Sequence, residues 1–224
     1  MNKLSILNFD KTISFEEGEN ILIVIENKKF LRRVMSILLS EKYTDLFYIY
    51  DDIHQLTMKD EKYDFISDIN FIDPNSAKNK SLILKQIKDI FFSEIKESGL
   101  KIISEINDLF LKIQLGYDLE IESDLNYKSE DILKSMNITL KEEHESVIED
   151  ILSYVKVCRE LKGIRFFIFH HLYLYLTEEE ISLLSVEMRK KDVSFIDFES
   201  FQDEKIDQIF AHKMILDESL CTLI

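Results

Sequence analysis

The chain has 224 residues, 46% of them hydrophobic, enough for one large domain or for a domain carrying a sizeable insertion. Only four glycines and a single proline, Pro74, argue against a loop-rich or all-β fold, and long Ile/Leu/Lys/Glu tracts favour helices. A net charge of −15 opposes DNA binding by bulk charge: phosphate contact needs the few cations gathered on one face, or the acids neutralised by bound cations.

Residues 4–7 and 13–15 alternate apolar with polar side chains and predict two short strands, with a turn at Asp10-Lys11. A second turn covers residues 16–20. Ile21-Leu22-Ile23-Val24-Ile25 is then continuously apolar, the mark of a parallel strand covered on both faces. Leu31, Val34, Met35 and Leu38 follow at helical spacing. A hairpin, a turn, a buried strand and a helix is how many ATPases of the transporter and DNA-repair kind begin. In those enzymes the junction reads G-x-x-x-x-G-K-S/T, whose glycines let backbone N–H groups wrap the phosphates while the lysine reaches the terminal ones. Here it reads Glu26-Asn27-Lys28-Lys29-Phe30-Leu31-Arg32-Arg33, with no glycine, no hydroxyl for magnesium, and an acid where the anion would lie. The shape is expected to persist without the nucleotide chemistry.

Residues 46–50 and 65–69 are two more predicted strands. After Asp73-Pro74-Asn75-Ser76 a long helical tract begins, broken only at Gly99. Shorter helices follow over 129–136, through Ile132, Leu133 and Met136, and through Val147, Ile151 and Val155. The α/β pattern returns with a buried strand at 164–169. Thr177 and Glu180 then form a capping box, opening a helix that carries Ile181, Leu184 and Met188. Strands at 193–196 and 214–216 finish the sheet. The expected architecture is an α/β head like that of a degenerate P-loop ATPase, with a mostly parallel sheet, over 1–75 and 163–224. A helical leg domain over 76–162 is inserted into it. No run approaches the ~20 apolar residues of a membrane span, and the start lacks a signal-peptide core, so a cytoplasmic location is expected.

The strand at 164–169 ends in His170-His171 where a working ATPase would place acids. Neighbours on a strand point to opposite faces, so the pair is read as structural and not as a chelate. Cys158 shares a helical face with Ile151 and Val155 and reads as a buried free thiol; neither it nor Cys221 has metal-like spacing. No nucleophile–base constellation is legible, and an enzyme is not expected. The acids Asp118, Glu120, Glu122 and Asp124, followed by Glu130 and Asp131, either supply the oxygen ligands calcium prefers or form a solvated inter-helix loop. Among the cations, Lys28, Lys29, Arg32 and Arg33 open the first helix, and Lys78, Lys80, Lys85 and Lys88 lead the long tract. Positions 29, 32 and 33 share a face, as do 78, 85 and 88, which suits phosphate contact or the ordinary lysines of a surface helix.

In order and spacing these segments resemble the type II-A CRISPR-associated adaptation proteins of the Csn-two family. The resemblance rests on the strand and helix start from Ile21 to Phe30, and on the block Ile66-Ser67-Asp68-Ile69 with Phe71-Ile72-Asp73-Pro74-Asn75-Ser76. It extends through Ile132-Leu133-Lys134-Ser135-Met136 with Thr139-Leu140, the strand before His170, Leu176-Thr177, and Phe195-Ile196-Asp197 with Met214-Ile215-Leu216-Asp217-Glu218. None of these is a catalytic signature. The resemblance implies a calcium-requiring homotetrameric ring that threads double-stranded DNA and favours free ends. It further implies partnership with the CRISPR integrase complex and the type II effector nuclease during spacer acquisition, without ATPase or nuclease activity. The calcium ligands it implies fall between Asp118 and Asp131. Two rivals remain: an acidic protein–protein scaffold without DNA binding, and an ATPase with an atypical nucleotide site.

Overall fold

The computed structural model describes residues 2–6, 12–40, 47–50, 55–56, 63–94, 96–116, 136–141 and 146–223. The chain opens with β1 (Asn2–Ile6), β2 (Ile13–Phe15), β3 (Asn20–Ile25), α1 (Lys28–Ser40), β4 (Phe47–Tyr50), β5 (Gln55–Leu56) and β6 (Tyr63–Ile66). Two helices follow, α2 (Ala77–Glu94) and α3 (Lys96–Leu115). The remainder is α4 (Val147–Lys162), β7 (Phe166–His170), α5 (Glu178–Arg189), β8 (Ser194–Glu199), β9 (His212–Leu216) and β10 (Thr222–Leu223).

The chain divides into two compact units, residues 1–74 with 143–224, and residues 75–142. In the first unit a six-stranded sheet has the order β10-β9-β3-β8-β7-β6, parallel from β9 to β6, with β10 antiparallel at one edge. All six residues of β3 are buried, because both faces of this central strand are covered. Its odd-numbered residues Ile21, Ile23 and Ile25 pack with Phe30, Leu31, Val34, Met35 and Leu38 of α1. The same layer holds Leu4, Ile6, Ile13 and Phe15, from an antiparallel sheet of order β2-β1-β4-β5. The even-numbered Leu22 and Val24 face the other way, into a core with Phe167, Phe169 and Phe195, α4 and α5. Cys158 is fully buried in that second layer, as its helical spacing predicts.

α4 belongs to this α/β unit. Its apolar face of Ile148, Ile151, Val155 and Cys158 covers β3 and β7, so the helical unit ends near residue 142, one helix earlier than the boundary at 162 expected from sequence. Helical periodicity does not say which core a helix joins. Gly163, at φ +71°, gives α4 a left-handed cap whose N–H bonds the Arg159 carbonyl. In the helical unit Gly99, expected to break the tract, lies inside α3. Asn75 closes that unit, its side chain accepting from Leu140 N (2.9 Å) and donating to Leu140 O (3.1 Å). The helix expected over 129–136 lies almost wholly outside the described residues.

Two strand ends lie three residues from expectation. β6 stops at Ile66, because Asp68 caps a 3-10 turn at Ile69–Phe71 by accepting from Asn70 N at 2.9 Å. β8 runs past Ile196 to include Asp197 and Glu199, both fully buried. The two-residue strands β5 and β10 are too short to leave a pattern in the sequence. The capping box is present as read: Thr177 Oγ1 accepts from Glu180 N at 3.3 Å, and Glu180 Oε2 accepts from Thr177 N at 2.8 Å. Thr177→Ala is expected to lower the unfolding free energy by about 1 kcal/mol in urea titration, and Thr177→Ser by far less.

A closed phosphate site and a candidate nucleic-acid interface

Only Glu26 and Asn27 separate the end of β3 from the first residue of α1. A phosphate cradle needs several loop residues whose N–H groups converge on an anion, and a two-residue connection has none to spare. The Glu26 N–H continues the β3–β9 ladder by donating to Leu216 O at 2.9 Å. Asn27 caps the helix: its Oδ1 accepts from Phe30 N at 3.0 Å, and its Nδ2 donates to Glu218 O at 2.8 Å. One of the amides that would face a phosphate is therefore taken by the chain itself. Beside it the Glu26 carboxylate accepts from Gln202 Nε2 at 3.3 Å, and Gln202 Oε1 accepts from Lys213 Nζ at 3.2 Å. Lys213 in turn pairs with Asp207, which accepts from Tyr173 OH at 2.8 Å.

The neighbouring strand ends carry a buried acid pair. Glu199 Oε2 lies 2.8 Å from His171 Nδ1, and Glu199 Oε1 accepts from Tyr173 N at 2.8 Å. Asp197 Oδ1 accepts weakly from Leu172 N at 3.4 Å, while its Oδ2 is buried without a hydrogen-bond partner. The pair thus caps the short 3-10 turn Leu172–Leu174 that follows β7. Burial first, and the Glu199 charge second, push the Asp197 carboxyl well above the usual carboxylate range, so it holds a proton.

His170 and His171 do not point to opposite faces. β7 ends at His170 and His171 turns left-handed at φ 61°, which brings the two rings to 3.9 Å between centroids. Burial, and then His171, lower His170 to about 4, so it is neutral at physiological pH. Among the described residues no three His, Cys, Asp or Glu side chains gather as a metal site. The expectation that the two rings face opposite ways is thereby corrected: the left-handed turn at His171 sets them side by side.

Lys28, Lys29, Arg32 and Arg33 are all exposed, while Phe30, Leu31, Val34, Met35 and Leu38 face the core. At about 100° per residue the four cations span roughly 140° of the helix circumference. Among the described residues no carboxylate pairs with any of them. In the helical unit Lys78 and Lys85 are exposed and Lys80 and Lys88 are partly buried. Lys78, Lys85 and Lys88 fall on one side of α2, and Lys80 lies roughly 200° from Lys78 and leaves that face. Asp118, Glu120, Glu122, Asp124, Glu130 and Asp131 lie outside the described residues. As a donor set they are all carboxylate oxygen, the hard-ligand chemistry calcium takes. Asn27, Asp197 and Glu199 carry no sequence signal of their roles, beyond the position of Asn27 directly before a helix.

A central strand of a parallel sheet running straight into a helix, with no phosphate loop between them, defines a P-loop-type α/β head that has lost its nucleotide cradle. A family model described as CRISPR-associated protein (Cas_Csn2) matches residues 40–219, so the chain belongs to that family, the Csn-two proteins of type II-A CRISPR systems. β3 and nearly all of α1 precede the matched residues; both the α2 lysines and the acidic stretch lie within them. The fold is similar to that of Stu0660 of Streptococcus thermophilus, with a TM-score of 0.59 at 15% identity over 99% of this chain and 76% of that one. A nucleotide-free ATP-binding cassette from an ABC transporter gives 0.49 at 12% identity, covering 99% and 91% of the two chains. A cassette in its ADP conformation gives 0.47 at 13%, covering 97% and 87%. No curated protein sequence matches the chain. Among the described residues no helix is long and apolar enough to cross a membrane.

The acid pair gives a pH dependence of defined sign. The folded state keeps a proton on Asp197 that the unfolded chain releases near pH 3.9, so stability from this group is complete below that pH and declines as pH rises through the folded-state value. Asp197→Asn removes the titration and keeps the acceptor for Leu172. It is expected to raise the melting temperature by about 2–4 °C at pH 8 and far less at pH 4.5, as measured by calorimetry.

Proposed function

We propose that this chain is a non-catalytic clamp for double-stranded DNA that acts in spacer acquisition in type II-A CRISPR immunity. It assembles as a homotetrameric ring and holds DNA near free ends for the integrase complex and the effector nuclease. Family membership supplies the CRISPR context. The observation that carries the DNA reading is the face of α1: four exposed cations with no paired acid among the described residues, in a chain whose net charge is −15. Cations kept apart from abundant acids remain available to phosphates, and contacts of this kind are blind to base sequence. The glycine-free, two-residue junction disfavours the ATPase rival, because backbone amides cannot wrap a triphosphate there.

Assembly is supported by the helical unit. Ile102, Leu109 and Ile113 are exposed on α3 and recur at seven- and four-residue spacing along one stripe, beside the seam of Ile103, Ile106 and Phe110. A second copy would remove that apolar stripe from water. Calcium is the proposed cofactor, held by carboxylates among Asp118, Glu120, Glu122, Asp124, Glu130 and Asp131, where it neutralises like charges that otherwise repel.

Light-scattering mass with millimolar calcium is expected at four times the chain mass, and lower in chelator. A monomer or dimer in both conditions, with no retention of linear duplex, would leave the acidic scaffold as the better reading. Ile102→Glu/Leu109→Glu is expected to reduce the assembled mass; an unchanged tetramer would remove α3 from the assembly surface. For duplex binding, log K should fall linearly with log salt. Arg32→Glu/Arg33→Glu should lower the magnitude of that slope by about 2 and weaken all sequences alike.

A further inference from the structure

We propose that Asn27 is a positioning residue, which fixes the cationic face of α1 by locking the helix start to the turn between β9 and β10. The inference rests on the DNA reading above. A helix of 13 residues packed along one stripe can still fray or swing at its first turn, where N–H groups lack intrahelical partners. Asn27 acts on that turn from both ends of one amide. Its Oδ1 accepts from Phe30 N at 3.0 Å, and its Nδ2 donates across the chain to Glu218 O at 2.8 Å. Its own carbonyl accepts from Leu31 N at 2.9 Å.

The acceptor side is itself rigid. Asp217 Oδ1 accepts from Ser219 N at 2.9 Å and from Cys221 N at 2.8 Å. Leu220 N donates to Asp217 O at 3.0 Å, Asp217 N donates to Cys221 O at 3.1 Å, and Leu220 holds a left-handed φ of 64°. Glu218 is thus presented by a closed turn, and Asn27 is pinned to a fixed point and not to a loose loop. The residue type matters. Ser and Asp cap a helix as well as Asn does, but an Asp carboxylate has no proton to donate and would add a negative charge beside Lys28 and Lys29, while Ser has one oxygen on a shorter side chain where Asn has a separate acceptor and donor. The first turn so held carries Lys28 and Lys29, with Arg32 and Arg33 one turn on. A face ordered before binding avoids the entropy of ordering it on the DNA.

The test uses the full chain with calcium and measures fluorescence-anisotropy binding of linear duplex between 50 and 200 mM salt. Asn27→Ser keeps the cap and removes the tie. Asp217→Ala opens the turn without touching the cap, and so reaches the same tie from the other side. Both are expected to weaken binding roughly 3- to 10-fold with an unchanged salt slope, since every cation is still present. Arg32→Glu/Arg33→Glu must instead lower the slope. Hydrogen exchange of the Lys28–Leu31 amides should quicken in both tie variants, while the α4 and β3 amides keep their protection. A purely structural role for Asn27 would lower the melting temperature and leave affinity at 25 °C unchanged; that result overturns the inference, as does wild-type affinity in both variants, with the DNA reading left standing. Wild-type protein that retains no duplex overturns both together.

Discussion

The connection between β3 and α1 is two residues long, and much of what this protein does and does not do depends on that length. A strand buried on both faces cannot shift along its own axis without breaking two ladders and two packed layers. With β3 so held, Glu26 and Asn27 leave α1 no freedom to retreat from the sheet edge and no backbone with which to surround an anion. The architecture of a nucleotide-binding head is kept because the apolar layers on both faces demand it. The loop that holds the phosphates in an ATPase has no counterpart between β3 and α1.

What fills the vacated edge is polar and internal. Asn27 satisfies Phe30 N and Glu218 O, and Glu26 joins Gln202, Lys213, Asp207 and Tyr173 in a continuous chain. Asp197 and Glu199 cap the turn after β7 from beneath, at the cost of burying two carboxyl groups side by side. Groups that in an ATPase would meet ligand and metal here meet each other. The edge is thereby filled by the chain itself, and under the proposed function the outer face of α1 is the surface that meets DNA. Its four exposed cations stand out in a chain whose net charge is −15.

Several features were legible in the residues alone. The apolar run 21–25, the helical spacing of Leu31 to Leu38, the Thr177/Glu180 box and the burial of Cys158 each follow from a short-range period or cap. Misreadings came where a local rule met a tertiary exception. β8 was expected to end at Ile196, yet it continues through the buried Asp197 and Glu199, although charged residues are rarely buried. Strand alternation was expected to separate His170 from His171, but the chain leaves the strand between them. α4 has an ordinary apolar face, and nothing in its spacing says that the face covers the sheet.

The sequence by itself determined the α/β class, the lack of a phosphate loop and the acid-free run of cations that opens α1, because each is written in contiguous residues. Only the tertiary structure decided the strand order, the assignment of α4 to the α/β unit, and the tie from Asn27 to Glu218. These depend on residues up to 191 positions apart meeting in space, and on which of several compatible apolar faces share a core. No local period encodes such a choice; it is settled by the summed burial of the whole fold.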